Sequence, residues 1–98
     1  MADLRFEWDP GKDAENQRKH RVSFEEAETV FSDEHALLID DPEHSSTEER
    51  FILLGLSVRF RVLLVAHSYR RGDEVIRIIS ARRATKRERS RYDQRWKP

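Results

Sequence analysis

A run of β-branched residues that changes abruptly into a basic helical pattern constrains this chain more than any other feature. Val75-Ile76-Arg77-Ile78-Ile79-Ser80 is short and rich in isoleucine and valine, the composition of a buried strand. Arg77 interrupts it. Because an unpaired buried charge is costly, that guanidinium belongs either on the solvent face or in a site. Arg82 and Arg83 follow at the point where the chain is expected to leave the sheet. Thr85 then opens a helix, with Glu88 placed to close a capping box on the exposed amides. Arginine therefore crowds both a strand end and a helix start.

The 98 residues are expected to form one domain, 1–98, with a single modest core. There is no cysteine, which removes disulfides, thiolate metal sites and cysteine nucleophiles together. The N-terminus carries no apolar run and no segment has the length to span a bilayer, so a cytoplasmic protein without a membrane partner is expected. Net charge is zero, yet residues 1–58 hold six Lys/Arg against fifteen Asp/Glu, while residues 59–98 hold thirteen against four. A segregation of −9 and +9 points to a basic surface meant for a polyanion or an acidic partner. The plainer alternative is that the two halves pair with each other.

Alternation of Phe6 and Trp8 with Arg5, Glu7 and Asp9 fits a short strand with one buried face. Asp9-Pro10 reads as an N-cap and first helical residue, opening a nearly all-polar helix to about His20 with only Ala14 to bury. Ser23-Phe24-Glu25-Glu26 reads as a capping box for a second helix, which buries Phe24, Ala27, Val30 and Phe31 and leaves its glutamates off that face. Strands are expected at Ala36–Ile39, at 49–56 and at 61–69, the first two joined by a polar loop over 40–48. Arg70-Arg71-Gly72-Asp73 is a hairpin turn into the Val75 strand. The expected fold is α+β in the order β-α-α-β-β-β-β-α: an antiparallel sheet, two N-terminal helices and one basic C-terminal helix that must dock through Tyr92 and Trp96, be held by a partner, or fray.

Metal chemistry is not signalled, because His20, His35, His44 and His67 are scattered without ligand spacing. Neither a phosphate loop nor a nucleophile elbow is present, and no cofactor is implied. Phosphodiester chemistry on RNA asks for less: a proton acceptor for the ribose 2′-hydroxyl, cations for the pentavalent phosphate, and a donor for the leaving oxygen. Glu49 and His67 can exchange protons, Arg50, Arg70, Arg77, Arg82 and Arg83 can bind phosphate, and Tyr92 can stack or donate. Arg50, His67 or Arg70, and Arg77 come from neighbouring strands, and whether they share a face depends on a register that sequence does not fix. Each has a plainer role: a strand-end ion pair for Glu49 and Arg50, a core-edge position for His67, a solvated helix face for the cluster from Lys86 to Arg91.

Taken in order and spacing, a set of segments resembles the BrnT family of toxins from bacterial type II toxin–antitoxin systems. These are Phe6-Glu7-Trp8-Asp9, Lys12, Asn16, Lys19-His20, Val22-Ser23-Phe24-Glu25-Glu26-Ala27, Val30-Phe31, His44-Ser45, Glu48-Glu49-Arg50, Gly55, Arg77-Ile78-Ile79-Ser80-Ala81-Arg82, Ala84-Thr85, Glu88-Arg89 and Tyr92. The resemblance implies a RelE-like fold, ribonuclease activity and neutralisation by a BrnA-like antitoxin, with operator DNA met only indirectly through that antitoxin. It departs from the family at Arg21, where glycine is common and would cap the helix in a left-handed conformation, and in Ser57-Val58-Arg59-Phe60, which lacks a turn glycine. The expected function is a metal-independent endoribonuclease toxin with Glu49, Arg50, His67, Arg77 and Arg82 as catalytic candidates. Glu49 or His67 would take the proton, although in RelE-like toxins basic residues can replace the usual acid and base. Lys19, His20, Arg70, Arg83, Lys86 and Tyr92 are the RNA-contact candidates. Two other readings stand beside it: a non-catalytic RNA- or protein-binding module, and a toxin acting on a protein such as gyrase.

Overall fold

The computed structural model describes residues 4–40, 50–70, 72 and 74–96. Strands β1 (Arg5–Glu7), β2 (Leu37–Asp40), β3 (Phe51–Leu56), β4 (Val62–Arg70) and β5 (Val75–Arg83) form one sheet, flanked by helices α1 (Pro10–His20), α2 (Phe24–Thr29) and α3 (Lys86–Asp93). The strand order is β1-β5-β4-β3-β2. Strands β2 to β5 are the antiparallel meander expected from their turns. The sheet as a whole is mixed, because β1 joins the outer edge of β5 in parallel, Glu7 opposite Arg77. Of the polar loop expected over 40–48, Asp40 is the last residue of β2 and 41–48 lie outside the described residues, as do Arg71 and Asp73 of the hairpin; Gly72 takes a positive φ of 64°.

Helix α1 starts as its sequence dictates: the Asp9 carboxylate accepts from the Gly11 amide at 2.8 Å, with Pro10 at the first turn. It ends on Arg21 in the left-handed region, φ 58°, a conformation that costs an L-residue about 1 kcal/mol. Its buried residue is Asn16, and Ala14 is exposed. The physical reason is the open edge of β5 beyond β1. Asn16 Nδ2 donates to the carbonyls of Ala81 and Val22, both at 2.8 Å, and its Oδ1 accepts from the Ala81 amide at 3.2 Å. A polar residue here completes the backbone pairing that a sixth strand would have made.

The second capping box forms only by half. Ser23 Oγ accepts from the Glu26 amide at 3.0 Å, but the Glu26 carboxylate turns inward to Arg61 and to the Ser57 hydroxyl at 2.7 Å. Glu26 is consequently buried, against the expectation that it lies off the core face. Burial alone would raise its carboxyl, and the bonds from Arg61 and Ser57 with the Arg61 charge outweigh that and hold it below the ordinary glutamate value. The same cluster fixes the β3–β4 turn, where Phe60 supplies the left-handed residue at φ 62° in place of glycine.

The two faces of the sheet bury two clusters. Under α1 and α2 lie Val22, Phe24, Ala27, Val30, Leu53, Leu63, Val65, Ile78 and Ala81, with Phe6 and Trp8 from β1 packed against them. Under α3 lie Leu54, Val62, Leu64 and Tyr92. Gly55 is where the first cluster approaches the strand most closely: a Cβ there would stand 2.8 Å from Val30 Cγ1 and 2.9 Å from the Ala36 Cβ.

Candidate functional site

Strand β5 runs on through Arg82 and Arg83, three residues further than its apolar run, so both arginines belong to the sheet rather than to the exit from it. Within β5 the register breaks. His67 faces Ile78 and Ala66 faces Ser80, leaving Ile79 without a partner as a β-bulge. Strict alternation would put Arg77 and Arg82 on opposite faces; the extra residue puts both on the α3 side. The cross-strand rows there are Glu7, Arg77 and Ser68, then Ser80, Ala66 and Ile52, then Arg82, Leu64 and Leu54. Strands stand about 4.8 Å apart, so the first row is a short polar line across the sheet. Alternation back from Ile52 carries Arg50, half-buried, to the same face. Between the arginines the floor is low, because Ser80 and Ala66 are small.

The charges on this face are paired in a specific way. Glu7 Oε2 accepts from Arg77 Nη1 at 2.9 Å and stands 3.2 Å from Arg70 Nη1, so one carboxylate oxygen gathers guanidiniums from β4 and β5. Arg82 is gripped by both oxygens of Glu88, at 2.9 and 3.0 Å. The Arg82 bonds hold the Glu88 carboxyl down at about 2, against a smaller opposing effect of burial, and the Thr85 amide adds to it at 2.8 Å. Here the capping box is complete, and Glu88 serves helix and guanidinium at once. Ser68 is buried on the same face, and its hydroxyl has no partner among the described residues.

Three expected site residues are brought together by this face and one more adjoins it: Arg70, Arg77 and Arg82, with Arg50 at its rim. His67 is not among them. Its ring lies on the other face, fully buried, 4.8 Å from the Phe31 ring and 6.2 Å from the Phe51 ring. Burial pushes its imidazole below the ordinary value, offset in part by Nδ1 against the Val65 carbonyl at 3.0 Å. Parity decides this, since His67 is an odd step from Ser68 and Ala66. Tyr92 is likewise a core residue rather than a surface contact, 2% exposed, its hydroxyl donating to Asp33 Oδ2 at 2.7 Å. Docking of α3 through Tyr92 is as expected; the Trp96 side chain and Glu49 lie outside the described residues.

Lys19 and His20 open onto a hollow between α1 and the bulge of β5, lined also by Lys12, Glu15, Asn16 and Ser80. Ser80 joins this hollow to the arginine face. Arg83, Lys86, Arg87, Arg89 and Arg91 are exposed at the end of β5 and along α3. Part of the charge segregation is internal pairing, as Glu7 and Glu26 of the acidic half take Arg70, Arg77 and Arg61 of the basic half. The α3 cluster remains outside those pairs. Among the described residues no three His, Cys, Asp or Glu side chains converge as metal ligands, and no helix is long and apolar enough to cross a membrane. Sequence reasoning missed Glu7, Asn16, Glu26 and Ser68; for Glu7 the alternation with Phe6 and Trp8 indicated the outer face, but nothing local indicated Arg77.

The model of the family described as the ribonuclease toxin BrnT of type II toxin–antitoxin systems matches residues 8–88. The chain belongs to the BrnT family. The crystal structure of the Brucella abortus ribonuclease toxin BrnT superposes with a TM-score of 0.64 over 86% of this chain and 100% of that one, at 22% identity, which establishes a common BrnT fold. No curated protein sequence matches the chain significantly. This BrnT-family chain is thus a member of a ribonuclease toxin family whose type II systems pair each toxin with an antitoxin.

Proposed function

We propose that this chain is a metal-independent endoribonuclease toxin that cleaves RNA by transphosphorylation, in the cytoplasm, and is neutralised by a BrnA-like antitoxin. The observation that carries the proposal is the bulge at Ile79, which sets Arg77 and Arg82 on one face over a floor of small residues. A phosphate seated between them would meet guanidiniums at both ends, with Arg70 and Arg50 on the flank. Their role is to neutralise the charge that builds on the pentavalent phosphorus. Lys19 and His20 on one side and Arg83 and Lys86 on the other extend the basic track for the flanking strand. Tyr92 supports this surface from beneath, holding α3 in place, and His67 supports it by filling the opposite core. Operator DNA is met only through the antitoxin.

The test is cleavage of a defined, ribosome-free RNA by the purified chain in EDTA, with the product ends mapped. Cyclic phosphate and 5′-hydroxyl ends are expected, and Arg77→Ala/Arg82→Ala is expected to abolish them. Activity retained by that double variant would overturn the assignment of the face. One observation favours a second reading, in which the chain only docks RNA: Arg82 is committed to Glu88 through both terminal nitrogens. On that reading RNA affinity falls steeply with salt and no products form.

A further inference from the structure

We propose that Glu7 is the proton acceptor of this site, a role that rests on the ribonuclease function assigned to the arginine face. In RNA the 2′-hydroxyl sits on the carbon next to the one bearing the scissile phosphate. A base for that hydroxyl must therefore stand beside the cations that hold the phosphate. Glu7 does so: its Oε2 is 2.9 Å from Arg77 and 3.2 Å from Arg70, on the strand that pairs with β5. Both contacts fall on Oε2, and among the described residues Oε1 takes no hydrogen bond. The side chain is 34% exposed, so solvent and substrate can reach the carboxylate.

Two other acid–base groups described near the face are spent or turned away. His67 is sealed among Phe31, Phe51 and Tyr69 on the opposite side of the sheet. Glu88 is occupied by Arg82 and by the Thr85 amide. Glu7 alone, among the described residues of the polar row, couples a carboxylate to two phosphate-binding cations. Only Nη1 of Arg77 and of Arg70 meets Oε2, so each guanidinium keeps further N–H groups for a phosphate while the carboxylate stays in place beside the ribose.

The O2′–H bond breaks and its proton passes to Glu7 Oε1 as O2′ bonds to phosphorus. The P–O5′ bond breaks with its electron pair on O5′, which takes a proton from water. The resulting hydroxide removes the proton from Glu7, returning the carboxylate and leaving a 2′,3′-cyclic phosphate and a 5′-hydroxyl.

The experiment compares wild type, Glu7→Gln and Glu7→Ala on one RNA, with and without ribosomes, alongside binding to the same RNA carrying 2′-deoxyribose at the mapped cut. Glu7→Gln is expected to slow cleavage by about 10²–10⁴-fold while affinity for the deoxy RNA stays equal or tightens. Added formate is expected to restore part of the rate to Glu7→Ala, a readout that loss of folding or of arginine placement cannot produce. Cleavage by Glu7→Gln at the wild-type rate overturns the assignment while leaving the ribonuclease function intact. So does a fall in rate matched by an equal fall in affinity, without formate rescue. Absence of cyclic-phosphate ends from the wild type under both conditions overturns the ribonuclease function itself, and Glu7 with it.

Discussion

Tyr92→Phe removes a single oxygen from a side chain packed in the cluster of Leu54 and Leu64, and with it one described hydrogen bond. That bond goes to Asp33 Oδ2 at 2.7 Å, the oxygen that also accepts from the Leu56 amide at 2.8 Å, while Oδ1 takes the His35 amide at 3.0 Å. One carboxylate thus ties α3 to the end of β3 and to the turn before β2. A hydrogen bond to a charged group is worth about 1.5–3 kcal/mol net. With an unfolding entropy of about 2.1 cal/mol/K per residue, 98 residues give about 0.2 kcal/mol/K, so a loss of about 2 kcal/mol lowers Tm by about 10 °C. Thermal denaturation followed by circular dichroism reads this directly, and fluorescence anisotropy reads RNA affinity in parallel. A Tyr92 that contacted RNA would show the reverse pattern, weaker binding at unchanged Tm, and that result refutes the core assignment. The pH dependence adds a second signature. Burial alone would raise the Asp33 carboxyl, but the Leu56 amide, the Tyr92 hydroxyl and the His35 amide outweigh it and hold it below the ordinary aspartate value. A group depressed in the folded state contributes stability that is complete above its unfolded value, about 3.9, and is lost as pH falls through the folded one. The difference between wild type and Tyr92→Phe is therefore full above about pH 5 and shrinks below about pH 4.

Gly55→Ala is expected to destabilise by about 1–3 kcal/mol, because the new methyl meets Val30, Ala36 and the Asp33 carboxylate, none of which is the free end of a flexible chain. Urea denaturation should show a lower midpoint at unchanged slope; an unchanged midpoint would mean that β3 yields where packing says it does not. Arg21→Gly is expected to act in the opposite direction, stabilising by about 0.5–1 kcal/mol and raising Tm by a few degrees, since glycine takes the left-handed conformation without the Cβ clash. The bond that Arg61 donates to the Arg21 carbonyl at 3.1 Å belongs to the backbone and survives the change. A fall in Tm would show that the Arg21 side chain itself holds α1 or its neighbours.

What the sequence made legible was what a few neighbouring residues decide. Asp9-Pro10 starts α1, and Thr85 with Glu88 starts α3, because a cap is a contract between positions two or three apart. Ser23 with Glu26 carries the same signature and keeps half of it, since a cation from 35 residues away offers Glu26 a buried partner that an exposed amide cannot match. Glu88 escapes that conflict only because its own cation, Arg82, lies beside the cap. Asn16 reads as a surface residue of a polar helix until the unpaired edge of β5 is placed against it. The parallel pairing of β1 is invisible for the same reason: alternation announces a strand with one buried face, and says nothing of its neighbour.

The candidate site turned on parity, which is the least local property of a strand. Arg77 and Arg82 are five residues apart, a spacing that assigns them to opposite faces of any regular strand, and Ile78 and Ala81 in the core between them carry the same contradiction. A single unpaired residue resolves both at once. With Ile79 taken out of the pairing, Ile78 and Ala81 point to one side and Arg77, Ser80 and Arg82 to the other, so the core and the arginine face are fixed by the same irregularity. His67, opposite Ile78, then has to share the core side, while Ser68 and Arg70 fall in with Arg77. The bulge interrupts the β4–β5 ladder, while on the opposite, open edge of β5 the Asn16 side chain bonds both the amide and the carbonyl of Ala81. The bulge thus lets a strand buried on both sides turn two arginines to one face, the face proposed to hold the phosphate.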